Sequence, residues 1–428
     1  MVSRQVSTVD QVAAPAGPPS LRGNRDFLLL WSGAGFAVLG ARVSTFAYPL
    51  LVLWHGGTPA VAGLVTFAAL LPNLLVQLPA GVMVDRWDRR RLMILSDAGC
   101  CTAAASVALA VFLGGIWLPH LLIAAFVGGS LAIVYELAER GGVRNLVAAE
   151  QLPMALSRNE ARSRAAALLG QPAGGLLLTF ARWMPFLFTM LAHLASLLTL
   201  LMIRRPFQAA RVEPGRRPVA AAIEGLTWTW RQRFLRTVVG LIAATNLLFF
   251  ALVLALMVIV EEAGRPPVVV GLITAAGGLG GAFGAATSMW WRRRVGLRAI
   301  VVGTMLVWAV LMPWVAVVRN PVVLGAIFAG MTYAGGVVNV AGVTYQIQVT
   351  PDALQGRVSS VLVLIGSGAS SVGALAGGLV LDAVGVTPTV LGVGGVMAVL
   401  AVLSALSPAV RTGDRSLVAP LGRQRVPR

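Results

Sequence analysis

Long apolar runs separated by short polar breaks fill most of this chain. Runs of about 20 apolar residues recur from residue 27 to residue 406, and each is long enough to cross a bilayer as a helix. In the first half they cover about 27–54, 61–84, 92–116, 120–139, 160–181 and 185–203. In the second half they cover about 237–260, 267–290, 299–318, 321–346, 358–382 and 387–406. Between the sets, residues 204–236 are arginine-rich and contain the amphipathic stretch Ile223-Glu-Gly-Leu-Thr-Trp-Thr-Trp230. That stretch predicts an interfacial helix with its tryptophans at headgroup level. The pattern predicts an all-α integral membrane protein of twelve transmembrane helices. Its parts are a tail (1–26), a six-helix bundle (27–203), a linker (204–236), a second six-helix bundle (237–408) and a second tail (409–428).

Composition sharpens this picture. Hydrophobic residues make up 57% of the 428 and charged ones only 12%, which excludes a water-soluble domain of this length. The formal charge of +18 would suit a nucleic-acid partner if it were spread over one face. Instead every basic residue is arginine, and all but Arg42, Arg182, Arg265 and Arg319 fall on one side of the twelve-span topology. By the positive-inside rule that side is the cytoplasm, which puts both termini there and argues against a nucleic-acid partner. The absence of lysine beside abundant Ala, Gly and Arg suits a GC-rich bacterial genome, hence a multi-pass protein of the bacterial inner membrane. Cys100 and Cys101 are adjacent, a spacing that resists pairing, and no metal-ligand spacing occurs. Residues 1–23 are polar, with no cleavable signal peptide visible.

The two halves repeat. At an offset of 202–203 positions, Gly81 meets Gly284 and Arg89-Arg90-Arg91 meet Arg292-Arg293-Arg294. Further on, Ser157 meets Ser359 and Gly174-Gly175 meet Gly377-Gly378. This predicts two bundles related by an axis along the membrane normal.

The densest motif is Gly81-Val-Met-Val-Asp85-Arg86-Trp-Asp88-Arg89-Arg90-Arg91 between the second and third runs. It resembles the loop between spans 2 and 3 of the major facilitator superfamily, with Gly81, Asp85, Arg86, Arg89 and Arg90 at the pattern positions and Asp88 where a second glycine is usual. In its second copy Ser288 stands in place of Asp85, so a gate built here acts in one half only. The run Gly170-Gln-Pro172-Ala-Gly174-Gly175 resembles the Gly-Pro-x-x-Gly-Gly pattern in span 5 of exporters of the superfamily. Leu152–Leu177, Leu21–Phe27 and Thr350–Ser359 resemble an enterobactin-exporter-like, macrolide-efflux-like branch of actinobacterial type. The resemblance implies the major facilitator fold, a gating loop and alternating access.

Polar groups at membrane depth are costly, so those present are functional candidates. Arg42 lies mid-span, where Gln77, backbone carbonyls or an anionic group of a substrate could meet it. Asp97 is expected to face Arg86 or Arg89 as part of the gate, with a proton-carrying role as the alternative. Glu136 either pairs with Arg140 four residues on or serves as a protonatable coupling acid. His193 is a second coupling candidate, since an unperturbed imidazole titrates near pH 6.5. Gln77, Asn246, Asn339, Tyr345 and Gln346 could hydrogen-bond a substrate. Gly170, Pro172, Gly174 and Gly175 suit close helix packing.

No catalytic cluster is spaced along the chain, and without lysine a phosphate-binding Walker loop cannot be built. The expectation is therefore no enzyme, no cofactor and no metal. The chain is expected to be a monomeric secondary transporter that exports a small amphipathic compound (a drug, siderophore or secondary metabolite) against protons. An importer or facilitator of the same fold, or a non-transporting receptor, are the alternatives.

Overall fold

The computed structural model describes residues 21–203, 205, 207 and 218–408. The expected tails at 1–20 and 409–428, and most of the polar first part of the linker, lie outside the described residues.

Among the described residues every regular element is helical. α1 (Arg25–Leu53) starts where the Asn24 side chain accepts the Phe27 N–H, a helix N-cap. α2 (Pro59–Leu70), α3 (Pro72–Leu75) and α4 (Gln77–Arg86) form one broken rod. Pro72 and Pro79 each remove a backbone donor, and α4 leaves the line of α2 and α3 by 50°. α5 (Arg89–Phe112), α6 (Leu118–Leu146), α7 (Leu152–Phe180) and α8 (Met184–Met202) complete the first half. α9 (Pro218–Arg231) and α10 (Arg233–Glu262) open the second. α11 (Val268–Arg294), α12 (Leu297–Leu311), α13 (Trp314–Val317), α14 (Pro321–Val349), α15 (Gln355–Val384) and α16 (Val386–Leu406) follow.

Ten of the described helices are long and apolar enough to span a bilayer, or eleven if the bent rod counts as one span. α7 is equally long at 29 residues, but Arg158, Glu160, Arg162 and Arg164 crowd its first turns. Several helices outrun their apolar stretch on the arginine-rich side. α6 continues to Leu146, through Gly141 and Gly142, which pack against Arg89 and Phe207, and α7 begins at Leu152.

α9 matches the amphipathic stretch but does not lie alone on a surface. Its Gly225 and Thr229 are buried, Gly225 lies against Arg357 of α15, and Glu224 pairs with Arg357 at 2.6 Å. Its Ile223, Leu226 and Trp230 remain exposed.

The two halves of the chain meet mainly away from the arginine-rich face. Trp54 Nε1 donates to Arg265 O at 3.2 Å. A Cβ on Gly175 would lie 2.7 Å from Pro267 O, and one on Gly378 would lie 2.6 Å from Pro59 O and 2.9 Å from Gly63 Cα. These glycines let α7 and α15 touch α11 and α2 backbone to backbone. Around this seal α1 is buried at every position from Phe46 to Leu53, and α10 is buried from Leu254 to Val260. Toward the arginine-rich side both helices expose residues, Phe36 and Arg42 on α1 and Arg236 and Ile242 on α10. The molecule is closed at the far face and open toward the arginines. A pit of about 500 Å³ lined by Trp54, Arg182, Glu261 and Arg265 lies outside the seal.

Gly378→Val should pry this seal open, since overpacking of this kind costs about 1–3 kcal/mol. The melting temperature in detergent should fall, and a Leu50→Cys reporter should become open to a membrane-impermeant thiol reagent from the far side. An unchanged melt with no labelling would contradict the seal.

Candidate functional site

Asp97 on α5 and His193 on α8 come together inside the first half. Asp97 Oδ1 lies 2.9 Å from His193 Nδ1, and the side chains are 0% and 4% exposed. Both sit at one depth. Asp97 is eight residues from the start of α5 and His193 nine from the end of α8, or roughly 12–14 Å at 1.5 Å per residue. Asp97 Oδ2 has no hydrogen-bond partner. One turn along α8, Ser196 Oγ lies 3.0 Å from the Tyr135 hydroxyl of α6. Asp97 thus does not face Arg86 or Arg89, as the loop resemblance suggested. Eight residues of α5 separate it from Arg89, so a histidine on the neighbouring helix is nearer.

A second buried pair lies one turn from Tyr135. Arg162 Nη2 reaches both oxygens of Glu139, at 2.7 and 2.9 Å, and Arg162 Nη1 donates to Trp31 O at 3.2 Å. Asn159 also donates to Glu139, at 3.2 Å. The pair ties α1, α6 and α7 together. Neither residue stood out in the sequence, although helical phase holds the signal. Glu136 takes Arg140 and Glu160 takes Arg164, four residues on in each case, which leaves Glu139 and Arg162 over. The Glu136–Arg140 and Glu160–Arg164 pairs are all more than half exposed, and such pairs are worth little. Glu136 therefore has the surroundings of a surface ion pair rather than of a buried coupling acid.

α1 stands between the Asp97–His193 pair and the open side. Its Gly33 and Gly40 press against Thr199 and against Thr189 and Ala192 of α8, and Thr189 Oγ1 donates to Gly40 O at 2.9 Å. Across the helix, Arg42 meets α7 at Gly170, where a Cβ would lie 2.5 Å from that of Arg42. Gly174 brings α7 onto Val43 O, and Pro172 lies against Gly271 of α11. The span-5 glycines and proline thus sit at helix contacts. Arg42 is exposed, has no hydrogen bond or ion pair among the described residues, and does not reach Gln77.

The basic loop divides into anchored and free parts. Asp88 Oδ1 accepts the Arg91 N–H at 2.8 Å and caps α5, which accounts for an acid where the family pattern has glycine. Arg89 donates to Gly141 O at 3.1 Å, and Arg90 donates to Leu200 O and Leu201 O at 3.2 and 3.3 Å, satisfying carbonyls near the ends of α6 and α8. Asp85 and Arg86 are exposed with no partner among the described residues, and nothing lies within 4 Å of a Cβ on Gly81. Gly81 thus makes no close helix contact in this conformation. The repeat position differs. Gly284 is packed onto Tyr333 O, and Ser288 donates to Val337 O at 3.0 Å.

Of the uncharged candidates, only Asn339 is exposed. Asn246 donates to Gly366 O at 3.4 Å in the α10–α15 seam. Tyr345 is buried with its ring 4.4 Å from that of Phe234, and Gln346 is buried with Nε2 donating to Ser359 Oγ at 2.9 Å. Tyr345 and Gln346 are therefore interior packing residues and not open to a substrate in this conformation.

A family model described as transmembrane secretion effector matches residues 19–425. The chain is 30% identical over 237 residues to the multidrug efflux pump Tap of Mycobacterium tuberculosis, and 28% identical over 230 residues to Tap of Mycolicibacterium fortuitum. Those matches cover 51% and 50% of this chain and 54% and 55% of the relatives, so they span about half the length of each. Among solved structures, a bacterial homologue of the lysosomal transporter Spinster, inward-facing and unoccupied, superposes with a TM-score of 0.71 at 13% identity, covering 93% of this chain and 98% of that one. A bacterial homologue of the iron transporter ferroportin, inward-facing, gives 0.67 at 18% identity, covering 91% and 100%. These likenesses show the fold.

Removing one partner of the Glu139–Arg162 pair should destabilise the protein by about 3–5 kcal/mol, because the other charge stays buried. Arg162→Met alone should melt well below wild type in detergent, and Glu139→Leu with Arg162→Met should recover most of the loss. Equal melts for the single and double variants would contradict a mutually dependent pair.

Proposed function

The chain belongs to the transmembrane secretion effector family of the major facilitator superfamily, and from that premise we propose that it exports a small amphipathic compound in exchange for protons by alternating access. The twelve-span reading, with two six-helix halves, both termini in the cytoplasm and one copy as the working unit, fits this role in the bacterial inner membrane. The arginine-rich face is then the cytoplasmic one, and the conformation described is open to the cytoplasm, ready to load.

The buried Asp97–His193 contact carries the coupling half of the proposal. It joins two ionisable groups out of contact with water on two neighbouring helices. Gain of a proton changes the charge of the pair and the hydrogen bond between α5 and α8. Because α8 presses on α1 at Gly33 and Gly40, a shift there moves the helix that lines the open side. Tyr135 and Ser196 extend the polar path toward Glu139 and the cytoplasmic end. Asp85 and Arg86 serve the other end of the cycle. Exposed and without a partner among the described residues, they are placed to engage α15 when the arginine-rich ends of the two halves come together. The export direction is supported by the family and by the name of the half-length relatives.

Proteoliposomes with an imposed pH gradient, offered lipophilic cations, macrolides and siderophores, test this. Wild type should move at least one compound with the gradient. Asp97→Asn and His193→Gln should each cut gradient-driven transport by about tenfold or more, equivalent to about 1.4 kcal/mol, while sparing gradient-free exchange. Asp85→Asn should slow both. Transport indifferent to the gradient, or undiminished in Asp97→Asn, would contradict proton coupling at this pair.

A further inference from the structure

We infer that the open side of this protein ends in an anion-binding site at Arg42, so that the exported compound carries a carboxylate or similarly acidic group. This rests on the export reading above and narrows its substrate class.

Arg42 lies eleven residues from the far end of α1, roughly 16 Å at 1.5 Å per residue, which is about the middle of a 30 Å hydrocarbon layer. A charged side chain exposed at that depth cannot rest against lipid without a large penalty, so it faces water. The place where it does so is marked on the helix. Arg42 is the last exposed residue of α1, and beyond Thr45 the helix is buried through to Leu53. It therefore stands at the blind end of the open side, directly below the far-face seal. Gly170 brings α7 against its Cβ, which fixes where the side chain starts.

The charge balance at this depth points to the ligand. Asp97 is held by His193 and Glu139 by Arg162, both out of contact with the open side. Glu136 and Glu160, nearer the cytoplasmic end, are paired with Arg140 and Arg164. Among the described residues the carboxylates without an ion pair, such as Asp85, Glu261, Glu262 and Asp382, lie near helix ends, so none at this depth is left to neutralise Arg42. A cationic compound would meet an uncompensated positive charge at the end of its path. An anionic one would supply the missing partner, in the two-pronged geometry a guanidinium offers a carboxylate. Asn339, exposed on α14 and without a partner among the described residues, is a neutral group available from the second half.

The test uses the full chain in detergent and three fluorescent probes on one scaffold: 1-pyrenebutyrate, its neutral amide, and 1-pyrenebutylammonium. Binding is followed by energy transfer from tryptophan to pyrene. Wild type should bind the carboxylate about tenfold or more tighter than the amide, and the ammonium weakest, as expected for a charge-assisted pair. Arg42→Gln should bind all three alike, and Arg42→Lys should keep part of the preference. Thermal melts of the two variants confirm that each is folded. Equal binding of the three probes, a preference for the ammonium, no binding at all, or a carboxylate preference that survives Arg42→Gln would each overturn the inference. Carboxylate-selective binding without gradient-driven transport would instead count against the coupling proposal and leave the anion site standing.

Discussion

A charge placed inside a bilayer must be paired or wetted, and this constraint orders the whole molecule. Besides the exposed Glu136–Arg140 and Glu160–Arg164 pairs, three sets of charged side chains lie well inside the helices. Asp97 is paired with His193 and Glu139 with Arg162, each pair bridging different helices in the first half. Arg42 has no partner among the described residues and is exposed. The pairs pin α5 to α8 and α6 to α7, and the unpaired arginine requires water to enter as far as α1. The open side is in this sense a consequence of where one charge was put.

α1 connects these demands. On one face its glycines press it onto α8, behind which the Asp97–His193 contact lies. On the other, Gly170 and Gly174 of α7 meet it at Arg42 and Val43. A helix wedged this tightly has few ways to move alone, so a change at the pair reaches the open side through rigid packing rather than through a flexible loop. The two repeats treat their basic turns differently. In the first, the rod is broken twice at prolines, α4 packs on α6 through Ala80 and Val84, and Asp85 is left exposed. In the second, α11 is unbroken and Ser288 is bonded to α14. The two basic turns are thereby held differently in the two halves.

Most of the helices were legible because apolar runs of bilayer length leave few alternatives. The helix ends were not, since nothing in a hydropathy pattern records that α6 and α7 stay helical once they leave the apolar layer. Arg42 and Glu136–Arg140 could be read from depth and from four-residue spacing. Asp97 and His193 were each visible as costly residues, but their meeting was not, because it depends on which helices are neighbours. Counting residues from the arginine-rich ends would have placed them level. Glu139 and Arg162 escaped because each has a closer charge in sequence, and only helical phase shows those neighbours to be taken. Tyr345 and Gln346 looked polar enough to face a substrate, yet both are buried, and Gln346 donates to Ser359. The glycine at position 81 belongs to a contact this conformation does not make.

The central claim is that protonation at Asp97–His193 sets the position of the cytoplasmic end. Spin labels at Trp87→Cys and Ser360→Cys, in a background with Cys100 and Cys101 replaced by serine, report the distance between the end of α4 and the start of α15. Pulsed electron–electron resonance across the neutral pH range should show two distance populations whose ratio shifts with pH, with the shift abolished in Asp97→Asn. A single distance at every pH, or a pH-dependent shift that persists in Asp97→Asn, would contradict the account.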